Sequence, residues 1–366
     1  MEVVNVNLKK RVDNSYPIYI GSNLTKFISS DLKKKKFGNQ YLIISCTTSG
    51  KLFGKKLLQS LRKKGLIANL LIFKEGEQNK NLRTYSKIIE KVNTYGLDRK
   101  SAIIALGGGI PGDVAGLVAA TYMRGINFIQ IPTTLLAMVD SSIGGKVGVD
   151  LKYVKNAAGA FHHPKAVYID TAYLKTLPPR QLSCGLAEVI KYGVIYDEKF
   201  FNSLDRRIKN IRKKENLIYI IKKSCKIKST IVQKDEFEEN LRVIVNYGHT
   251  VGHAIESLSN YRSFNHGEAI SIGMNVAARI SNLLGLMSKK DIKRQNDLIV
   301  KAGLPIKFPK INTNAVINEL HKDKKAYGNN IVFTLPEKIG KAKKVKGKYR
   351  INVDKAVIKY AIEECR

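Results

Sequence analysis

Short β-branched apolar runs recur through the first half of the chain, at Tyr41 to Ser45, Leu70 to Phe73, Ala102 to Leu106, Phe128 to Ile131 and Ala166 to Ile169. Helical stretches separate them, and this alternation predicts an α/β, Rossmann-like N-terminal domain with a mainly parallel sheet. Ahead of it, Val3 to Leu8 and Tyr16 to Ile20 flank the turn-prone Asp13-Asn14-Ser15, which predicts an antiparallel hairpin. After Leu177-Pro178-Pro179 the apolar period lengthens to 3.6, over Gln181 to Val194, Leu217 to Lys234, His249 to Ser259 and Glu268 to Leu284. The expectation is an all-helical C-terminal domain over residues 178–366, following an α/β domain over 1–177. No internal repeat or low-complexity linker interrupts this pattern.

Composition narrows the class. A chain of 366 residues that is 44% hydrophobic can bury a large core, and its length suits two domains. Met1 to Asn14 mixes charges among its apolar residues, unlike a secretory signal. The longest weakly charged stretch, Ser101 to Met123, is broken by three glycines, a proline and Asp113, unlike a membrane span. A cytoplasmic location with no membrane partner is expected. Cys46, Cys184, Cys225 and Cys365 lie far apart with no Cys-x-x-Cys pair, so neither a disulfide framework nor a thiolate metal site is indicated. The formal net charge of +34 raises nucleic acid as a partner. Yet the lysines are spread from Lys33–Lys36 through Lys63-Lys64 and Lys222-Lys223 to the 338–348 segment, with no nucleic-acid module around them. A solvated lysine-rich surface is the better reading, and no nucleic-acid partner is expected.

Two local patterns carry chemistry. Gly107-Gly108-Gly109-Ile110-Pro111-Gly112-Asp113 follows an apolar strand and precedes the helical run Val114 to Met123. Glycines there let backbone N–H groups approach a pyrophosphate, and the helix dipole favours its charge. The spacing is not Gly-x-Gly-x-x-Gly, and a tight strand-to-helix turn alone would use the same glycines. Thr133 and Thr134 end another strand at the edge where ligands of parallel sheets bind. The second pattern is histidine: His249, His253 and His266 fall in one short helical region of a chain with six histidines. His249 and His253, four apart, project from one helix face, so spacing nominates both as metal ligands. His266 returns to that face if the two helices pack antiparallel. Glu188 and Lys191 stand three apart on another helix, as a metal ligand with its neighbour or as a plain helix ion pair. One carboxylate, two imidazoles and an open position make a catalytic rather than a structural metal arrangement.

From GGGIPGDVAG through ATYMRGINFIQIPTTLLAMVDSSIGGKVGV and KNAAGAF to LAEVIKYGVI, and again at KDEFEENLR, NYGHTVGHAIE and HGEAISIGM, the chain resembles the 3-dehydroquinate synthase family of sugar phosphate cyclases. The likeness spans roughly Phe73 to Leu284. It implies a homodimer that converts 3-deoxy-D-arabino-heptulosonate 7-phosphate into 3-dehydroquinate and phosphate, with NAD and a zinc or cobalt ion. In that family a ring hydroxyl is transiently oxidised, phosphate is eliminated, the ketone is reduced, and the opened ring closes by an aldol reaction. By resemblance the ligands are Glu188, His249 and His266, while His253 belongs to the proton-transfer and phosphate network. Asp140, Lys146, Lys155, Asn156 and Lys191 match positions around substrate and nicotinamide. Lys228, Arg242 and Asn246 match substrate anchors, with Glu238 orienting them. Arg124 matches an arginine that reaches the phosphate across the dimer interface. The cofactor contacts implied are Glu75, Gly76, Glu77, Gln78, Asn79 and Lys80, the Gly109, Ile110, Pro111, Gly112 and Asp113 turn, Thr133, Thr134, Lys146 and Lys155, and Tyr173, Leu174, Lys175 and Thr176. A lysine of Asp323-Lys324-Lys325 is expected to close the site.

Four positions depart from the family pattern: Pro111 lacks an N–H donor, Cys46 replaces Asn or Asp, Phe237 replaces Arg, and Val147 replaces Thr. They bear on NAD affinity and leave the metal ligands untouched. Two enzymatic rivals share the expected architecture: a glycerol-type metal-dependent dehydrogenase, which would release reduced cofactor, and another sugar phosphate cyclase. VDSSIGGK, Lys228 and Arg242 favour a cyclase, because such a substrate has a second anion to hold.

Overall fold

The computed structural model describes residues 13–152, 154–259, 263–322 and 331–366. Strands β1 (Ile18–Gly21), β2 (Gln40–Cys46), β3 (Ile67–Phe73), β4 (Ala102–Gly107), β5 (Asn127–Pro132), β6 (Lys146–Val149), β7 (Ala158–Phe161) and β8 (Ala166–Asp170) occupy the first half. Six of them form one sheet in the order β1-β8-β5-β4-β2-β3, with every neighbouring pair parallel. β6 and β7 pair separately as an antiparallel hairpin. Ile18–Gly21 pairs in parallel with β8 at one edge of the described sheet, where its apolar side chains are partly covered. The other arm of the expected hairpin, Val3 to Leu8, lies outside the described residues.

The inner strands are buried on both faces. Leu42, Ile44, Ile103 and Ala105 face one side, with Val114, Ala115 and Val118 of helix α1 (Gly109–Thr121). Ile43, Ile104, Leu106, Ile129 and Ile131 face the other, and that core continues without a break into the helical half. The sheet therefore does not float beside the helices; one of its faces and their packing share a single apolar interior.

From Pro179 onward helices dominate, as the change of period predicts: α2 (Pro179–Ile195), α3 (Lys214–Lys234), α4 (His249–Leu258) and α5 (His266–Leu283) surround the site. This half also carries two small antiparallel pairs, of Ile331–Phe333 with Ile351–Val353 and of Pro336–Lys338 with Lys341–Ala342, which helical periodicity did not announce. Among the described residues no helix is long and apolar enough to cross a membrane.

Candidate metal and dinucleotide site

Chain order sends β2 to β3 at one edge and then back to β4 on the opposite side of β2. Such a reversal opens a crevice at the carboxyl ends of the two strands. Cys46 ends β2 and Gly107 ends β4, and a cleft of about 1270 Å³ runs from here to the helical half. The glycine-rich segment is not a loop ahead of a helix at Val114. α1 starts at Gly109, so Ile110 to Asp113 form its first turn. Pro111 is tolerated there, because first-turn N–H groups have no intrahelical acceptor to lose. Gly109, Ile110, Pro111 and Asp113 line the cleft. Gly112 is buried, facing Gln130.

Opposite the helix start lies the 75–80 turn, of which Glu75, Gly76, Glu77, Gln78 and Lys80 line the cleft. Asn79 does not; its side-chain amide donates to the Glu75 carbonyl at 2.8 Å. The Lys80 ammonium is buried and donates to Asp113 at 2.6 Å and to Asn156. Lys155 reaches Glu77 at 3.1 Å. Thr133, Thr134, Tyr173 and Thr176 also line the cleft, whereas Leu174 is core and Lys175 is exposed. Cys46 Sγ lies 3.3 Å from the Ser49 hydroxyl.

At the far end, three helices converge. An Asn265–Glu268 capping box fixes the start of α5 at His266, and Glu268 is clamped by Arg180 at 2.7 and 2.8 Å. Gly267 then lets α5 press against α2: a Cβ at that position would stand 2.3 Å from Cys184 Cα. Gly248, with φ of +80°, makes the left-handed step that begins α4 at His249. The result brings Glu188, His249 and His266 together, each offering one ligand atom, all within 4.8 Å of one another. Glu188 Oε1 is 3.3 Å from both imidazole Nε2 atoms.

The outer ring atoms are also held. His249 Nδ1 lies 3.1 Å from the Tyr247 carbonyl, so the proton sits on Nδ1 and Nε2 keeps its lone pair. Tyr247 is itself buried, its hydroxyl donating to Gln295 Oε1 at 2.7 Å with the Met274 carbonyl as a second acceptor within reach at 2.9 Å. Burial and the nearby Lys191 hold the His249 pKa below its ordinary value, which keeps the ring neutral. His266 Nδ1 faces Glu256 Oε1 at 3.4 Å. Burial opposes a charge on His266, but Glu188 and Glu256 overcome it and raise its pKa to about 10. Burial likewise opposes ionisation of Glu188, yet Lys191 and His249 hold its pKa well below the usual range. Two carboxylates thus call for a positive charge between them, which a divalent cation of the zinc or cobalt kind would supply by displacing the proton from His266 Nε2.

Spacing nominated His253 equally with His249, and the structure separates them. The His253 ligand atom groups with Glu256 and His266 rather than with Glu188. The ring is open to the cleft, yet desolvation by the cleft walls, then His249, lowers its pKa well below the ordinary value, so it is a free base at neutral pH.

Between the two ends, Asp140 accepts from Lys228 at 2.7 Å and from the buried Tyr192 hydroxyl. Burial opposes its charge, but Lys228 and Lys191 hold the carboxyl far below its usual pKa. Lys191 contacts Glu188 Oε2 in a pair with no solvent access to speak of. Arg242, 1% exposed, donates to the Gly144 carbonyl at 2.9 Å and to the Glu236 carbonyl. Glu238 does not line the cleft. It contacts Lys146 and accepts from Asn246 at 2.6 Å, both of which do line it. Phe237 is exposed and packs edge-on against Phe161, and Val147 fills space beside Gly116. Arg124 is exposed on a left-handed turn beyond the far end of α1 and does not line this cleft. Asp323, Lys324 and Lys325 lie outside the described residues.

Two buried partners escaped the sequence reading. Glu256 stands seven residues after His249 on the same helix face, and Tyr192 stands four after Glu188. Helical spacing from the ligands already chosen would have found both.

Residues 70–184 match the family model described as 3-dehydroquinate synthase N-terminal, and residues 185–326 match the one described as 3-dehydroquinate synthase C-terminal. The chain belongs to that family. A 3-dehydroquinate synthase from Pelotomaculum thermopropionicum is 46% identical over 345 residues, covering 93% of this chain and 92% of the relative. Two solved structures resemble the family fold seen here. One is 2-deoxy-scyllo-inosose synthase complexed with carbaglucose-6-phosphate, NAD+ and Co2+, with a TM-score of 0.87 at 30% identity over 95% of this chain and 96% of that one. The other is 2-epi-5-epi-valiolone synthase from Streptomyces hygroscopicus subsp. jinggangensis 5008 with NAD+ and Zn2+ bound, with a TM-score of 0.89 at 25% identity over 99% of each chain.

Proposed function

We propose that this chain is a 3-dehydroquinate synthase, a lyase of the shikimate route to aromatic amino acids. It converts 3-deoxy-D-arabino-heptulosonate 7-phosphate to 3-dehydroquinate and phosphate with NAD and a zinc or cobalt ion. The observation that carries the reading is the meeting of Glu188, His249 and His266 at one end of a cleft whose other end is a glycine-started helix at the sheet's reversal point. A bound metal would supply Lewis-acid polarisation of the hydroxyl to be oxidised, and bound NAD would supply a reversible hydride acceptor. Glu188, His249 and His266 hold the ion, and the 75–80 turn, the start of α1, Thr133, Thr134 and Lys155 receive the dinucleotide.

The remaining residues bind and move protons. Lys146, Lys191, Lys228 and Arg242 gather cationic groups where a phosphate and a carboxylate must be held away from water. Asn246 and Asn156 supply amides to the sugar hydroxyls, and Glu238 orients Lys146 and Asn246. His253, open to the cleft and held neutral there, accepts and returns a proton near the departing phosphate. Asp140 keeps Lys228 charged and aimed.

The same reading divides the chain into an α/β dinucleotide-binding domain of residues 1–177 and a helical metal and substrate domain of 178–366. It makes the protein a cytoplasmic homodimer, and Arg124, turned away from its own cleft, contributes to the partner's phosphate site. Incubation with the heptulosonate phosphate and catalytic NAD should release phosphate and cyclic product without net NADH. Stoichiometric NADH would instead mark a dehydrogenase. His249→Ala should lose bound metal and activity while keeping its circular dichroism spectrum.

A further inference from the structure

Glu256 has no place among the residues to which the proposed reaction gives a role. It is 4% exposed, on the cleft wall between the metal cluster and the dinucleotide turn. One of its oxygens, Oε1, serves two neighbours: His266 Nδ1 at 3.4 Å and Lys155 Nζ at 3.6 Å. Lys155 continues to Glu77 Oε1 at 3.1 Å. A line of alternating charge and imidazole thus runs from Glu188 through His266, Glu256 and Lys155 to Glu77. It joins the helical half to the first half without passing through Asp140.

We propose that Glu256 is a positioning residue that couples metal binding to dinucleotide binding, a role that rests on the metal and NAD sites assigned above. Its first task is to fix the His266 ring so that Nε2 faces Glu188, as the Tyr247 carbonyl does for His249. A carboxylate behind a ligating imidazole also raises the basicity of the ring, and loss of such a partner weakens metal binding by about 10–100-fold. Its second task follows from sharing one oxygen between two groups. A dinucleotide seated on the 75–80 turn orders Glu77 and Lys155, and an ordered Lys155 confines the Glu256 carboxylate. The metal then meets a His266 whose support is already fixed, and less conformational entropy is lost on binding. Linkage requires the converse, so the metal tightens the dinucleotide by the same factor.

The test is a zinc titration against a chromophoric chelator, with and without saturating NAD+, on the unchanged protein, Glu256→Gln and Lys155→Gln. The unchanged protein should bind zinc about fivefold more tightly, or better, with NAD+ present. Glu256→Gln keeps shape and one acceptor but loses the charge. It should bind zinc about tenfold more weakly or worse, with no gain from NAD+. Lys155→Gln, at an NAD+ concentration shown by fluorescence to saturate it, should lose the gain; a full gain in that NAD+-saturated variant would overturn the coupling. Zinc binding by Glu256→Gln that matches the unchanged protein, with the same response to NAD+, overturns the coupling and leaves the metal and NAD sites standing. An unchanged protein that binds neither zinc nor NAD+ overturns both.

Discussion

The two ends of the cleft hold their ligands by opposite means. At the dinucleotide end the groups offered are helix-start N–H donors, the 75–80 turn and the ion pairs Lys80–Asp113 and Lys155–Glu77, which tie that turn to its surroundings. A Cβ added at Gly109 would meet only Ser141, its Oγ at 3.4 Å and its Cβ at 3.8 Å. At the metal end the groups are side chains on interlocked helices, with Glu188 fully buried and Gly267 leaving no room for a methyl group. A dinucleotide is long, and a protein can hold it with many weak contacts spread along a surface. An ion presents a single point, so its ligands must be aimed by packing before it arrives.

The contrast predicts where damage spreads. Glu188→Ala should have the largest effect, because it strands the buried Lys191 charge as well as removing a ligand. A loss of about 3–5 kcal/mol in urea unfolding is expected, with no metal retained after dialysis. A variant as stable as the parent would break the claim that the metal end is built into the fold. His253→Ala should keep its metal while turnover falls about a hundredfold; metal loss instead would place His253 among the ligands. Gly267→Ala should cost about 1–3 kcal/mol by overpacking and weaken metal binding. Gly109→Ala should change stability by no more than about 0.5 kcal/mol and act on NAD binding alone. Equal stability losses at the two glycines would erase the distinction. In binding rather than stability, Pro111→Ala restores one N–H at the start of α1. It should tighten NAD by about 1 kcal/mol, seen as a lower Kd in fluorescence titration.

The same contrast governs what the sequence discloses. The inner strands are legible because burial on both faces leaves them as unbroken apolar runs, and α2 through α5 are legible by period. The β6–β7 hairpin is hidden, since Lys146–Val149 and Ala158–Phe161 are short and rich in glycine and alanine. The edge strand Ile18–Gly21 reads correctly as a strand, while its pairing with β8, some 150 residues away, lies beyond any local turn signal; the expected hairpin arm is not among the described residues. The start of α1 is misplaced because glycine and proline read as a loop, although both are at home in a helix's first turn. Ligand types show in the run of histidines, yet spacing alone ranks His249 and His253 alike. Only the crossing of α2, α4 and α5 aims one at Glu188 and the other at Glu256.

The support behind His249 is a main-chain oxygen of Tyr247, which no amino-acid replacement at that position deletes. The support behind His266 is the side chain of Glu256, which a single codon change removes. The two imidazoles are therefore unequal before mutation: one is anchored in what every sequence shares, the other in what this sequence happens to encode. Drift in cation preference among descendants of this chain has its open route on the His266 side.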